Sequence, residues 1–214
     1  MSRLTAPLLS FGASGQIAKT QVYASWKGRP YVRRYVVPSN PRSADQTATR
    51  NTFSWLNNVW KFMPAAALAA WDVYASNNRF TNRNGFIKQN LSALIGEADL
   101  TNFIASPSVN GGLVAATMTF TPGNDQITFA GTASSLPVGW TVEALHGLAI
   151  RQQDPQDGIL YQASYVTDAT DPYSVIMSGL ASAQTYFCAG WFSYVVSPTK
   201  TAYGLPTTGT ALTT

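Results

Sequence analysis

The chain contains one cysteine, Cys188, and one histidine, His146. A lone cysteine excludes an intrachain disulfide and any cysteine-based metal cluster. With so few histidines and cysteines, a zinc site is not expected. A Ser–His–Asp triad would have to be built on His146, which lies inside a strand-like run, and no Gly-x-Ser-x-Gly nucleophile elbow occurs. Charge is also scarce, at 11% of residues, against about a quarter in ordinary globular proteins. Surfaces built from neutral polar groups repel partners weakly, which suits a protein that lives packed in an assembly, although many secreted β-domains share this composition. No apolar run reaches the roughly 18 residues that a membrane helix needs. The longest, Pro64 to Trp71, is short and alanine-rich and reads as a buried helix. The N-terminus has no apolar run of signal-peptide type, so the chain is compatible with cytoplasmic synthesis and no membrane association is expected.

What is present is enough apolar material for a core (45% of 214 residues) and an uneven distribution of charge. The length allows one large domain or two small ones. Residues 1–100 carry twelve Lys and Arg against four Asp and Glu, a balance of +8; residues 101–214 carry two against six, a balance of −4. The first half is therefore expected to face something acidic, either nucleic acid or a protein surface.

Local patterns divide the chain near residue 110. Residues 1–15 read as an arm, interrupted by Pro7, Gly12 and Gly15. Two β-like runs follow, Ile17–Trp26 and Pro30–Val37, joined at Lys27-Gly28-Arg29 as a hairpin. On the second run Tyr31, Arg33 and Tyr35 alternate with Val32, Arg34 and Val36, so both faces carry an arginine. A helix then starts either from Asn40 with Pro41 in its first position or from Ser43 paired with Gln46 as a capping box. Phe53, Leu56, Trp60 and Met63 give it one apolar stripe. Pro64 separates it from an alanine-rich helix over Ala65–Ala75 with Leu68, Trp71 and Tyr74 as packing residues. A third helix fits Gly85–Ile95, capped by Asn84 and ended by Gly96.

Beyond residue 112 strand-like runs recur between turn signals: Val114–Thr121, Gln126–Gly131, Trp140–Arg151, Leu160–Thr167, Tyr173–Ser178, Thr185–Val196 and Thr201–Leu205. Seven runs in about a hundred residues match an immunoglobulin- or fibronectin-type sandwich, without the Cys–Trp–Cys signature of antibody domains. The expected fold class is α+β: an arm, hairpin and short helices in a basic docking domain over 1–110, followed by an all-β immunoglobulin/fibronectin-III-like sandwich over 111–214.

Candidate chemistry reduces to one constellation. Asp154 with Asp157, and Asp168 with Asp171, could bind calcium or act as a carboxylate pair, but aspartates populate turns for their local hydrogen bonds. Gly12 to Gly15 followed by Lys19-Thr20 fails as a phosphate loop, because Ala18 stands where glycine is required. Asn90-Leu91-Ser92 matches a glycosylation acceptor inside a predicted helix and is a chance match. What stands out is the hairpin, where Trp26, Lys27, Arg29, Tyr31, Arg33, Arg34 and Tyr35 interleave cations and aromatics. That composition serves protein interfaces, single-stranded nucleic acid, or a hairpin whose aromatics cover the helices. No catalytic residues, metal or cofactor are expected.

The segments Phe11-Gly12-Ala13-Ser14-Gly15, Ser25-Trp26-Lys27-Gly28-Arg29-Pro30-Tyr31-Val32-Arg33 and Asn40-Pro41-Arg42 resemble a family of phage-encoded and prophage-like proteins. Trp71-Asp72 through Arg83-Asn84-Gly85-Phe86-Ile87-Lys88-Gln89-Asn90 is similar to a second block of that family, whose members are catalogued as hypothetical or virion structural proteins. The resemblance covers residues 11–90 closely and 110–205 in architecture only, and it brings no catalytic residues. It implies a non-enzymatic virion protein made in the bacterial host cytoplasm. The expected role is capsid decoration or minor capsid protein, with a head–tail connector, a tail component or a nucleic-acid-binding protein as alternatives. The expected partners are the major capsid protein or connector and tail proteins and further copies of the chain, with nucleic acid secondary.

Overall fold

A computed structural model of the protein describes residues 2–3, 15–37, 39–40 and 42–214. Most of the expected arm therefore lies outside the described residues. The chain forms two compact units, 1–42 and 43–214.

The first unit is a four-stranded antiparallel sheet of β1 (Ser2–Arg3), β2 (Gly15–Ile17), β3 (Gln21–Trp26) and β4 (Arg29–Arg34), in the order β1-β4-β3-β2. The expected hairpin is β3–β4. Its turn residues Lys27 (φ 50°) and Gly28 (φ 72°) both have positive φ, the primed geometry whose twist suits a two-residue connection. The expected run Ile17–Trp26 is broken by a second tight turn. Ala18 and Lys19 take φ of 45° and 55°, and the Thr20 amide donates to the Ile17 carbonyl (2.9 Å).

The second unit opens with α1 (Ala44–Phe62), α2 (Ala65–Asn78) and α3 (Asn82–Leu94). Ser43 accepts the Gln46 amide and so provides the α1 cap; Thr81, not Asn84, caps α3 by accepting the Asn84 amide. The α1 stripe is rotated from the expected one. Trp55, Leu56, Val59 and Met63 are buried while Phe53 is exposed.

Eight strands follow: β5 (Thr117–Gly123), β6 (Gln126–Thr132), β7 (Thr141–Arg151), β8 (Ala163–Asp168), β9 (Ser174–Ser178), β10 (Thr185–Ser197), β11 (Lys200–Tyr203) and β12 (Thr207–Leu212). Seven correspond to the expected runs, and β12 was not anticipated. One sheet is β5-β6-β9; the other runs β8-β7-β10, with β11 and β12 following one another along the remaining edge of β10. This is a β-sandwich with helices on one side, an α+β fold.

The second sheet is covered on both faces. Leu145, Ala149, Cys188, Phe192 and Tyr194 pack with Ile127, Phe129 and Met177 in the sandwich interior. The opposite residues Leu148, Ile150, Phe187, Ala189 and Trp191 pack with Trp55, Leu56, Val59, Trp71 and Phe86. Edge-to-face contacts run from the helices into the sheet: Trp71–Phe86 (5.3 Å), Phe86–Phe103 (6.1 Å) and Phe103–Phe187 (5.9 Å). Such pairs add about 0.5–1.5 kcal/mol each beyond the area they bury.

The division of the chain thus differs from the expected one. Residues 110 and 111 fall inside the second unit, and the boundary lies between 42 and 43. The reason is visible at the expected junction. Val109 and Tyr203 exchange both backbone hydrogen bonds (3.1 and 3.2 Å), and Asn110 Nδ2 donates to the Thr201 carbonyl (2.7 Å). The helices share a core with the sandwich and are not a docking module apart from it.

Asn90, the apparent glycosylation site, is wholly buried in α3. Its Nδ2 donates to the carbonyls of Phe86 (3.2 Å) and Ile104 (3.1 Å), and its Oδ1 accepts the Ile104 amide (2.8 Å), tying the 100–105 segment to the helix. Asn90→Leu leaves the Ile104 amide and carbonyl without these partners. It is expected to cost about 2–3 kcal/mol, read as a lower urea midpoint at unchanged slope.

Candidate functional site

Cross-strand partners in an antiparallel sheet lie on the same face. The register of β3–β4 pairs Trp26 with Arg29, Ala24 with Tyr31 and Val22 with Arg33. One face therefore carries Trp26, Arg29, Tyr31 and Arg33 together, with Val22 and Ala24 between them. Arg34 pairs with Gln21 and lies on the other face, beside Tyr23 and Val32. Lys27 is in the turn, and its Nζ stands 4.9 Å above the Trp26 ring. Tyr35 lies one residue past β4, where its amide donates to the Thr20 carbonyl (2.8 Å). Of the seven residues singled out by the sequence, four converge on one face, two flank it and one points away.

None of residues 15–37 is buried; Trp26 remains 68% exposed, and Val36 and Val37 are also open to solvent. A small sheet normally needs an apolar face packed on something. Among the described residues 15–37, both faces hold only exposed and half-buried side chains. The unit also carries a single sign of charge: residues 1–42 contain seven Lys and Arg and no Asp or Glu, whereas residues 43–214 contain seven against ten. Such a face can take carboxylates or phosphates through its arginines and apolar or planar groups through Trp26 and Tyr31.

The reactive groups of the second unit are built into its core. His146 on β7 is 5% exposed, facing the helices. Its Nδ1 is 2.6 Å from the Tyr165 hydroxyl, its Nε2 is 2.9 Å from Ser193 Oγ, and its ring stacks on Trp191 (5.4 Å, 12°). Burial pulls its pKa down to about 4 and pushes that of Tyr165 up to about 12. Ser193 next to a histidine has the look of a nucleophile with its base. Both are enclosed, however, and a phenol occupies the position where a triad has its carboxylate. Cys188 lies in the sandwich core, its thiol pushed up to about 12 by burial, so it carries no thiolate at neutral pH.

One aspartate of each pair holds a turn. Asp154 accepts the Gln156 amide at the start of a 3-10 turn over Pro155–Asp157, and Asp168 accepts the amides of Thr170 and Ser174. Among the described residues no three His, Cys, Asp or Glu side chains converge as metal ligands would. No described helix is long and apolar enough to cross a membrane.

Fold and surface together define a two-unit protein: a β-sandwich backed by three helices, preceded by a cationic, aromatic sheet with no buried residue among those described at 15–37. No family model and no curated protein matches the chain. Solved structures match about half of it. A computationally redesigned β-sandwich protein aligns at 16% identity over 47% of this chain and 88% of its own (TM-score 0.34). The FN5 domain of Drosophila Lar aligns at 14% over 48% and 96% (TM-score 0.33), and a structure described as a myokine at 8% over 46% and 95% (TM-score 0.33).

Proposed function

We propose that the protein is a non-enzymatic structural component of a bacteriophage particle. It docks through the basic sheet of residues 1–42 and presents the helix-backed sandwich, as a capsid decoration or minor capsid protein would. The observation that carries the docking reading is the sheet itself, whose described residues 15–37 are exposed or half-buried. It places Trp26, Arg29, Tyr31 and Arg33 on one face of a unit with seven cations, no anions and no buried residue between 15 and 37. Tyr, Trp and Arg are the side chains that dominate binding energy at protein interfaces. The assignment to a virion rests on the sequence resemblance over residues 11–90. The three-plus-four strand division, with β11 and β12 sharing one edge position, favours a fibronectin-type sandwich over an antibody-type one.

The test is incorporation. Arg29→Glu/Arg33→Glu is expected to reduce the copies of this chain per purified particle at least tenfold, while the second unit keeps its wild-type unfolding midpoint. Normal incorporation would overturn the docking assignment. The wild-type copy number, measured against the major capsid protein, separates decoration from a connector or tail position. Interleaved cations and aromatics at Arg29, Tyr31 and Arg33 also favour a second reading, binding to single-stranded nucleic acid. That binding would weaken steeply with salt, whereas a protein interface anchored on Trp26 and Tyr31 would weaken less.

A further inference from the structure

One partner that the sheet of residues 1–42 can take is a surface with carboxylates beside apolar groups, and the chain carries such a surface itself. Asp45, Glu97, Asp154 and Asp157 lie at one corner of the second unit, which also carries Arg50 of α1. Asp45 is in the first turn of α1, Glu97 and Asp99 follow α3, and Asp154 and Asp157 cap and close the 3-10 turn. These segments are held together: Gln156 Nε2 donates to the Glu97 carbonyl (3.1 Å), and Gly158 lies against Asn51 of α1. Between them is a recess of about 120 Å³ lined by Asp45, Thr49, Thr52, Ile95, Gly96 and Gln156. Ile95 on its rim is exposed, as is Ile159 just beyond the 3-10 turn.

We propose that the Trp26–Arg29–Tyr31–Arg33 face of one copy docks on this acidic corner of a second copy, so that the chain self-associates head to tail. The inference rests on the docking reading above and names its partner. Three features support it. Opposite charge is segregated between the two units, seven cations and no anion against seven and ten. Alternate residues on one strand put Arg29 and Arg33 about 13 Å apart, so the two can reach separate carboxylates while a large side chain between or beside them enters the recess. The fork of an arginine also matches a carboxylate in two hydrogen bonds. Because the two surfaces differ, the contact is heterologous and forms rings or filaments according to its rotation.

Sedimentation equilibrium of the full chain over a wide concentration range tests this. The wild type is expected to associate, and to do so less as salt rises. Arg29→Glu/Arg33→Glu and, separately, Glu97→Lys/Asp157→Lys are each expected to weaken association by about tenfold or more. All four side chains are exposed, and circular dichroism would verify that both variants fold. Mixing the two variants places an acidic sheet against a basic corner and leaves the reverse pair intact, so the mixture is expected to associate where each variant alone does not. A wild type that stays monomeric, association indifferent to both sets of charges, or a mixture that fails to recover would each overturn self-docking. If the wild type is monomeric yet the arginine variant still fails to enter particles, docking stands and its partner is another virion protein.

Discussion

Gly204→Ala is expected to destabilise the second unit by about 3 kcal/mol or more, among the largest effects open to a single methyl group in this chain. A Cβ at Gly204 would fall inside the van der Waals envelope of the Leu113 carbonyl oxygen, and one at Gly112 inside that of the Tyr203 carbonyl. Neither glycine has positive φ, so the demand is for space and not for an unusual backbone angle. Here the segment leaving the helices crosses the end of β11. The crossing is fastened by the Val109–Tyr203 bridge, by the Gly204 amide donating to the Phe192 carbonyl (3.0 Å) and by the Tyr194 hydroxyl donating to the Leu113 carbonyl (3.2 Å). Backbone cannot move aside as a flexible side chain can, so the methyl must push the two segments apart and break those bonds. Urea unfolding at neutral pH is the measurement. Leu205→Ala, one residue on and exposed, serves as the control and is expected to cost under about 1 kcal/mol. Equal midpoints for the two variants would show that the crossing is not a point of close packing.

Acidification is expected to cost the second unit on the order of 3 kcal/mol through His146 alone. Burial holds the folded-state pKa at about 4 against 6.5 for a free imidazole. Between those values the unfolded chain binds a proton that the folded chain does not. Stability from this group is therefore complete above about 6.5, declines as pH falls, and is fully lost near 4. The hydrogen bonds do not cause the shift, since the Tyr165 and Ser193 hydroxyls can accept from an imidazolium as readily as they partner neutral imidazole. The cost is desolvation under the helix layer. As the only histidine, His146 gives a single unambiguous resonance in a histidine-detected NMR titration. His146→Gln should remove its part of the pH slope. A native pKa near 6.5 would mean that the helices do not exclude water from this site.

Much of the second unit was legible because local rules and tertiary packing agree. Ser43 with Gln46 marked the start of α1, and Pro64 the break before α2. Seven of eight sandwich strands stood out between their turns. β12 was missed because Thr207–Leu212 is a run of threonine, glycine and alanine with little apolar alternation, held by its pairing with β10. The α1 stripe was misplaced because two sets at helical spacing overlap, Phe53-Leu56-Trp60-Met63 and Trp55-Leu56-Val59-Met63. Only the position of the sheet decides which set faces inward.

The domain boundary near 110 was the larger departure, although a signal for the true arrangement was present. Inward and outward residues alternate along β5 and β6, as expected for strands with one wet face. Residues 144–150 of β7 and 186–194 of β10 are buried without alternation, the mark of strands covered on both sides. Two of the longest strands in the sandwich thus require a second layer, and the three helices supply it.

By itself the sequence determined the segments: which stretches become helix, hairpin and sandwich, and that the positive charge is concentrated at the start. Those properties depend on periodicity, turn residues and composition, which act over a few neighbours. The tertiary structure decided what the segments face. It buried His146 between Tyr165, Ser193 and Trp191, and its register brought Trp26 and Arg29 onto the same face as Tyr31 and Arg33. Register and layer packing are set by contacts between residues far apart in the chain, and no local pattern specifies them.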